Sequence, residues 1–535
     1  MLYNNNKWIL FVGCEIMKTI GIFFKKNYKF LFILFFILLY NLLSYYELCS
    51  NSNDMSNKFK ILFLIFIALV DFIILFFLFV FKKRETLTFE RKYLIIGFFI
   101  GMVYLIAIPV MKGTDEAQHF YRAYQISSGN IVINDVDKDV TLIPKNLYDL
   151  PYTSFNEKYS PNTFFEKQSS EFVEIRNSET PINYSPFQYI PQVLAIIISK
   201  IFGFSPMIMV FFTRFINFIS WLFITYIAIK IVPFKKEFIA ILYLSPAMLS
   251  LTSTASGDAL LDACILLFIS LILRQYHEKK EMKRKDFYLL MVLSIIISSI
   301  KFVYIPVLFL LLVIPKEYFN VPMGFKNKLD KKKSIIIILL VCMFFIVGWN
   351  LLTSNNSSFA TNKAASEQLS FVITNPISYC LIIFRTFTNN TFYYLTNLVA
   401  GNEMCNSNVT INELLVLFYF ILLILSYFYC NRRLEFKIHQ KFAIWILFLL
   451  IMGAVSSAMY IYWTISYELP GGNSIIGIQS RYFIALIPIL ILTLPIKNKR
   501  IEDYGNQNLF STCLILNGLI LIQTVGSLLT HFFNM

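Results

Sequence analysis

An acidic pair, Asp115 and Glu116, lies where the chain first leaves an apolar segment for a long polar one, residues 112–185. Asp115, His119 and Arg122 are spaced i, i+4 and i+7, so on a helix they would share one face. Carboxylates at a membrane surface are costly to place, and they can act as general bases. This pair is therefore the first candidate for catalysis.

Two other interpretations of the pair stay open. Thr114 would cap a helix with Asp115 and Glu116 in its first turn, where acidic residues stabilise the helix dipole. His119 and the two carboxylates would also suit a divalent metal, although one histidine without a second soft ligand is a weak metal signature. No cofactor is therefore assigned, and a divalent metal stays an option.

Cations lie at costly positions elsewhere in the chain. Arg214 lies with Asn217 inside an apolar segment, and Lys301 separates two short apolar stretches. Arg481 begins another apolar segment at its outer end. A cation at such a position needs an anion or a partner, so phosphate binding and a structural ion pair are both compatible with it. Asp258 follows a run of small polar residues, where it would cap a helix or complete a site.

Polar side chains next to these charges are further candidates. Tyr184 ends the long polar segment just before Pro186, which by itself predicts only the start of a helix. Gln479 and Tyr482 flank Arg481. An acidic pair and several cations at the outer ends of apolar segments would suit an enzyme that handles an anionic lipid head-group.

Composition predicts an all-α polytopic membrane protein. Hydrophobic residues make up 57% of the chain and charged residues 15%, and the mean hydropathy is +0.63. Apolar segments of about 20 residues, each long enough to cross a bilayer, recur along the whole chain. Lys and Arg cluster in the short loops between them, as in cytoplasmic loops, so the net charge of +15 does not indicate a nucleic-acid partner.

The loop charges predict about 13 transmembrane helices. They place residues 112–185 and 353–412 outside, where the two segments would form a cap. The first of these contains 11 acidic and 7 basic residues, an inverted balance that agrees with an outer position.

Three segments need particular paths to satisfy this topology. Residues 288–314 must leave and return to the cytoplasmic side as a short hairpin, with residues 298–301 near its apex. Residues 187–202 are predicted to lie along the surface or to re-enter the membrane. Residues 238–250 are predicted to cross it.

Several motifs also resemble those of domain-of-unknown-function family 2142, a bacterial membrane family. They are Asp115-Glu116-x-x-His119-Phe120-x-Arg122-Ala123-Tyr124, Tyr184-x-Pro186, Thr213-Arg214-x-x-Asn217, Ser253–Asp258, Lys301-x-x-Tyr304-x-Pro306 and Gln479-x-Arg481-Tyr482. The resemblance covers about residues 93–496. It makes residues 1–92 an N-terminal extension with two transmembrane helices, and residues 497–535 a cytoplasmic loop with a C-terminal transmembrane helix.

That family is similar to the GT-C class of glycosyltransferases, and the similarity implies a role for each matched residue. Asp115 would be the general base, and Glu116 would orient the acceptor or share the work of the base. Arg214, Lys301 and Arg481 would neutralise a polyprenyl-phosphate leaving group. Substrate contacts would also involve His119, Arg122, Tyr184, Asn217, Asp258, Tyr304, Gln479 and Tyr482.

The function expected from this resemblance is sugar transfer on the outer face of a bacterial plasma membrane. The donor would be a polyprenyl-phosphate-linked sugar, and the acceptor a cell-envelope polysaccharide or teichoic acid, with membrane lipids as the surroundings. Two other classes stay open, an O-antigen-type polysaccharide polymerase and a flippase or transporter of lipid-linked saccharides. The position of the largest outer loop after an early helix favours the transferase.

Overall fold

The computed structural model describes residues 32, 34–50, 55–83, 87–133, 135, 139–322, 328–353, 363–405, 409, 411–428, 436–491, 493–494 and 507–533. This part of the chain is mainly helical. Its strands form two short antiparallel pairs, β1 (Leu142–Pro144) with β2 (Phe172–Glu174) and β3 (Val321–Pro322) with β4 (Lys328–Leu329).

The α-helices in the N-terminal half are α1 (Leu34–Ser50), α2 (Asn57–Lys83), α3 (Phe89–Ala107), α4 (Glu116–Ser127), α5 (Lys145–Tyr148), α6 (Phe155–Lys158), α7 (Pro161–Phe165), α8 (Ile190–Ile201), α9 (Pro206–Ile231), α10 (Lys236–Tyr243), α11 (Pro246–Thr252) and α12 (Asp258–Glu278). Those that follow are α13 (Arg284–Ile300), α14 (Lys331–Thr353), α15 (Lys363–Thr374), α16 (Pro376–Asn389), α17 (Thr391–Asn397), α18 (Glu413–Phe428), α19 (Ile438–Tyr462), α20 (Arg481–Ile484), α21 (Ile487–Ile491) and α22 (Gln507–Phe533). Segments of 3-10 helix cover Asn177–Glu179, Pro186–Tyr189, Phe302–Val313, Asn402–Met404 and Thr464–Ser466.

The prediction of a helical membrane protein is confirmed. Among the described residues, six helices are long and apolar enough to cross a membrane. Their candidate spans are Asn57–Val80, Pro206–Ile231, Asp258–Glu278, Lys331–Thr353, Ile438–Ser466 and Leu509–His531. The pair α15 and α16 would make a seventh if it counts as one span, although the two helices meet at an angle of 104°.

Helix α12 lies at the centre of the bundle. In its most apolar window 89% of the residues are buried, compared with 17% for α14. Helix α12 packs against α9 and α13, whereas α14 exposes large hydrophobic side chains such as Leu340 and Phe344. Exposed apolar faces of this kind suit contact with lipid. The buried core of the bundle is built around α12, and Asp258 is the first residue of that helix.

The hairpin predicted for residues 288–314 is confirmed. Helix α13 and the 3-10 helix Phe302–Val313 are its two arms, and Lys301 lies between them. The backbone N–H of Met282 donates to the carbonyl of Tyr318 over 3.0 Å, which brings the far ends of both arms together. The hairpin therefore presents Lys301 at its apex.

The segment 187–202 forms a half-length helix beside α9. Helix α8 has 12 residues, or about 18 Å, which is too short to cross the membrane. Gln192, in its first turn, donates to Asn217 Oδ1 over 3.0 Å, and Asn217 lies near the middle of α9. A short turn with Gly203 at φ +63° then joins α8 to α9. This geometry favours re-entry over a position along the surface.

Two other predicted segments differ in the structure. The crossing predicted for residues 238–250 is interrupted, because Ser245-Pro246 ends α10 and begins α11. The Ser245 hydroxyl there accepts a hydrogen bond from the Met248 N–H over 3.4 Å. The outer segment 353–412 is also not a simple cap, since it contains α15, α16 and α17. A proline begins α16, directly after the 104° bend.

Candidate functional site

The start of α4 separates the two acidic residues from each other. Asp115 is the N-terminal cap residue of this helix, and its φ of +57° lies in the left-handed region that non-glycine residues rarely adopt. Thr114 does not cap the helix as predicted, because its hydroxyl donates to the Glu403 carbonyl over 2.8 Å. As a result Asp115 and Glu116 point into different environments.

Glu116 forms an ion pair with Arg214, and we call these two residues the inner pair. The Arg214 Nε and Nη2 atoms each donate to a Glu116 oxygen over 2.6 Å, and both side chains are 0% exposed. Arg214 also donates to the carbonyls of Ile108 and Pro109 over 2.7 and 2.8 Å. The oxygens of Glu116 and the nitrogens of Arg214 are therefore occupied by protein partners, which favours a structural ion pair, while the acceptor and phosphate roles of these two residues stay predictions.

Asn217 supports the same region from α9. Its side-chain amide donates to the carbonyls of Thr254 and Ser256 over 2.8 and 2.9 Å. The Ala255 N–H in this turn donates to Glu116 Oε1 over 3.1 Å. Asn217 thus fixes the turn before Asp258, and its contact with substrate stays a prediction.

Four charged side chains meet above the inner pair, and we call Asp115, Asp258, Lys301 and Arg481 the outer cluster. Arg481 Nη2 lies 2.6 Å from Asp115 Oδ2, and Lys301 Nζ lies 2.6 Å from Asp258 Oδ1. Arg481 Nε is 3.9 Å from Asp258 Oδ2, which connects the two pairs. The residues come from the starts of α4, α12 and α20 and from the apex of the hairpin.

The members of the outer cluster differ in their access to solvent. Asp115 keeps 37% of its side chain exposed, whereas Asp258, Arg481 and Lys301 keep 7%, 8% and 14%. Asp115 is therefore the member that an incoming molecule can reach most easily. The other three form the floor of the site.

Aromatic side chains surround Lys301. Its Nζ lies 5.0 Å from the ring centre of Tyr482 and 5.8 Å from that of Tyr184, both within the range of cation–π attraction. Tyr304 does not face the site as predicted, because its hydroxyl donates to the Tyr482 carbonyl over 2.8 Å. It positions Tyr482, while Tyr184 and Tyr482 line the site.

His119 lies at the edge of the site with its ring fixed by Tyr189. Its Nδ1 and the Tyr189 hydroxyl share a hydrogen bond of 2.8 Å. Burial lowers the pKa of His119 to about 4, although Asp258 and Asp115 act in the opposite direction. The imidazole is therefore neutral at pH 7.

Arg122 is bound to the backbone just beyond α4, and its contact with substrate stays a prediction. Its guanidinium donates to the carbonyls of Asn130 and Ile131 over 3.2 and 2.7 Å, which ties the end of α4 to the following loop. The metal interpretation of His119 is also unsupported. Among the described residues, no group of three or more His, Cys, Asp or Glu side chains could hold a metal ion.

Sequence reasoning missed three residues of the site, Gln188, Tyr189 and Glu403. Gln188 Nε2 donates to Asp258 Oδ1 over 3.3 Å. Gln188 and Tyr189 closely follow Pro186, where the polar segment ends. Their nearness to Tyr184 and Pro186 could have marked them as candidate site residues. Within the described chain, the buried Gln188 Oε1, Gln479 Oε1 and Arg481 Nε have no hydrogen-bond partner. Such groups around a charged cluster suit a polar ligand.

Residues 98–490 match the family described as predicted membrane protein (DUF2142). The chain belongs to the DUF2142 family. The family match begins in α3, ends in α21 and includes every residue of the inner pair and the outer cluster. No curated protein and no solved structure is detectably similar to this DUF2142 protein.

Proposed function

We propose that this protein is a membrane glycosyltransferase, which transfers a sugar from a polyprenyl-phosphate donor to an acceptor on the outer face of a bacterial plasma membrane. The acceptor in this proposal is a cell-envelope polysaccharide or a teichoic acid. The proposal includes a GT-C-like plan with about 13 crossings, since the DUF2142 family resembles that class.

One observation carries the proposal: an accessible carboxylate, Asp115, lies beside two cations in a site assembled at the ends of apolar helices. A sugar phosphodiester has one negative charge, and the phosphate released from it has up to two. Arg481 and Lys301 would therefore bind the leaving group more strongly as the reaction proceeds, which is the requirement for catalysis by charge stabilisation.

The step that we propose is a single displacement. The acceptor hydroxyl oxygen attacks the anomeric carbon while its proton passes to Asp115. The bond between that carbon and the phosphate oxygen breaks, and its electron pair leaves with the phosphate. Attack opposite to the leaving group inverts the anomeric configuration.

Donor binding would also change the state of Asp115. Two carboxylates and two cations make the outer cluster neutral, with Arg481 bound to Asp115. A donor phosphate would compete with Asp115 for Arg481, because both are anions that accept its hydrogen bonds. Once that exchange has taken place, the Asp115 carboxylate is available as a base. The proposal therefore predicts that the donor binds before the acceptor is deprotonated.

The remaining residues of the site support recognition in this proposal. Tyr184 and Tyr482 would contact the donor next to Lys301, and Gln188 and Gln479 offer amide oxygens to sugar hydroxyls. His119 stays neutral and would donate or accept a hydrogen bond without adding charge.

The test is transfer by the purified protein in nanodiscs that contain a polyprenyl-phosphate-linked sugar, with mass spectrometry of the acceptor and NMR of the anomeric proton. Asp115→Asn should lower turnover by about 10²–10⁴-fold, the usual loss without a general base. Asp149→Asn, at the end of α5, is the matched control and should retain full turnover. An Asp115→Asn protein as active as the unaltered one would exclude Asp115 as the base.

The same experiment separates the other two classes. Growth of a lipid-linked acceptor by whole repeat units would indicate a polymerase. Movement of the lipid-linked saccharide between leaflets without a new glycosidic bond would indicate a transporter. Either result would overturn the proposal.

A further inference from the structure

Glu403 connects the two chain segments that carry Asp115 and Arg481. Its backbone carbonyl accepts a hydrogen bond from the Thr114 hydroxyl over 2.8 Å, directly before Asp115. Its carboxylate oxygens accept from the Ser480 N–H over 3.1 and 2.9 Å, directly before Arg481. Glu403 thus contacts Thr114 and Ser480, which directly precede the two partners of the ion pair.

The turn that carries Glu403 is itself held in place. The Glu403 N–H donates to Oδ1 of Asn397, the last residue of α17, over 3.1 Å. The carbonyl of the next residue, Met404, accepts from the Ser250 hydroxyl of α11 over 2.6 Å. A Cβ atom at Gly401 would lie 2.2 Å from Asn397 Oδ1, so a larger residue there would displace the acceptor of the Glu403 N–H. Glu403 therefore has a rigid support on the side away from the site.

Hydrogen bonds add to packing in holding the segment of Arg481. A small cavity lined by Thr114, Asn397, Glu403 and Arg481 lies next to the contacts described above. Bonds to a carboxylate are stronger than those between neutral groups, and Glu403 supplies two of them to the segment of Arg481.

We infer that Glu403 is a positioning residue for sugar transfer, which sets the separation of Asp115 and Arg481 through Thr114 and Ser480. The role in sugar transfer rests on the proposed function, whereas the hydrogen bonds of Glu403 do not depend on it. Displacement of a reacting group by about 1 Å can lower a rate by about 10²-fold. Glu403 itself touches neither reacting atom in this mechanism.

The first measurement is hydrogen–deuterium exchange of the full-length protein in nanodiscs. Glu403→Ala should raise the exchange rate of the Ser480 amide by at least about tenfold, because that N–H loses its acceptor. Glu403→Gln keeps one acceptor oxygen and should show a smaller rise. Glu413→Gln, at an exposed position in the first turn of α18, is the matched control and should leave the exchange of residues 478–484 unchanged.

The second measurement is transfer from the polyprenyl-phosphate donor. Glu403→Ala should lower kcat by about 10–100-fold and raise the donor KM less, since the ion-pair residues are still present but displaced. Glu403→Gln should recover most of the kcat. A residue that only stabilised the fold would show no such recovery at equal thermal stability.

Unchanged exchange at Ser480 in Glu403→Ala, or full kcat in that variant, would overturn the inference. If Glu403→Ala does not fold, Glu403→Gln and Thr114→Val replace it. Glu403→Gln should then raise exchange at Ser480, where its side chain accepts, and Thr114→Val should raise exchange at residues 113–118. Failure of the unaltered protein to transfer sugar would overturn the proposed function alone, because the exchange measurement would still decide whether Glu403 fixes the two segments.

Discussion

Asp115 and Glu116 are neighbours in the chain with the same acidic group, yet they end in opposite environments. Glu116 lies in the inner pair with Arg214, where both side chains are fully buried and bound at two points. Asp115 lies in the outer cluster, paired at one point with Arg481, and more than a third of its side chain is exposed.

The two neighbouring residues therefore differ in whether their ion pair can exchange its partner. A fully buried ion pair with every hydrogen bond made cannot bind a further ligand, but it fixes the segments that contribute to it. A partly open pair with a single contact can exchange its partner. The division falls at the start of α4, where Asp115 is a left-handed cap residue and Glu116 is the first residue of the helix.

The largest effect is expected from breaking the inner pair. Glu116→Gln leaves the Arg214 charge buried without its counter-ion, which should lower the free energy of unfolding by about 3–5 kcal/mol. Thermal unfolding of the purified protein in detergent measures this. The double variant Glu116→Gln, Arg214→Met should regain much of the loss, since it removes both charges. A change below about 1 kcal/mol in the single variant would contradict our description of the inner pair.

An intermediate effect is expected in the floor of the outer cluster. Asp258→Asn removes the partner of Lys301, which is only 14% exposed and keeps just its aromatic neighbours. The free energy of unfolding should fall by about 2 kcal/mol, the range for hydrogen bonds to charged groups. A cycle with Lys301→Met should show strong non-additivity. Additive losses would mean that the two residues do not act as a pair.

A smaller effect is expected from acid. The pKa of His119 is about 4 in the folded protein and near its ordinary value of 6.5 in the unfolded chain. Between these two values the unfolded chain binds more protons, so stability is present above pH 6.5 and is lost as the pH falls. Unfolding at pH 7 and 5.5 should differ by about 1 kcal/mol from this residue. His119→Gln should remove that share, while His277→Gln, at an exposed position, should not.

The smallest effect on stability is expected at Asp115. Asp115→Asn should change the free energy of unfolding by less than about 1 kcal/mol, because the pair is partly exposed and has one contact. Under the proposed function the same variant loses most of its turnover. Unfolding and transfer measured on one preparation test both statements. A loss of stability equal to that of Glu116→Gln would remove the distinction between the two sites.

The sequence predicts that four charged residues lie close together, Asp115, Asp258, Lys301 and Arg481. Each is a charged residue at the end of an apolar segment, where its position is costly without a partner. The loop charges placed all four toward the same face. The helical class followed from the length and frequency of the apolar segments, and the hairpin followed from the need to return to the basic side.

The direction of each side chain was not accessible. Residue spacing predicts a shared helical face for Asp115 and Arg122, but Asp115 precedes the helix in a conformation that no spacing encodes. Glu403 gave no signal either, because its function depends on a turn that packs between α17 and α11. Ser245-Pro246 predicts a break in segment 238–250, but the apolar residues on both sides of it are typical of one continuous crossing.

The lengths of the two hairpin arms determine how deep in the membrane Lys301 lies. A 3-10 helix rises about 2.0 Å per residue and an α-helix about 1.5 Å, so the 12 residues of Phe302–Val313 and the 17 residues of α13 span nearly equal lengths, about 24 and 26 Å. Both are shorter than the ~30 Å hydrocarbon layer of a bilayer. The topology predicted from the loop charges puts the basic residues at the far end of the hairpin on the cytoplasmic side. In that topology Lys301 lies a few ångströms inside the hydrocarbon layer, near its outer face. Under the proposed function, a lipid phosphate that reaches Lys301 would have to leave the plane of its neighbours. Local thinning of the bilayer around this apex would then help the protein to select its substrate.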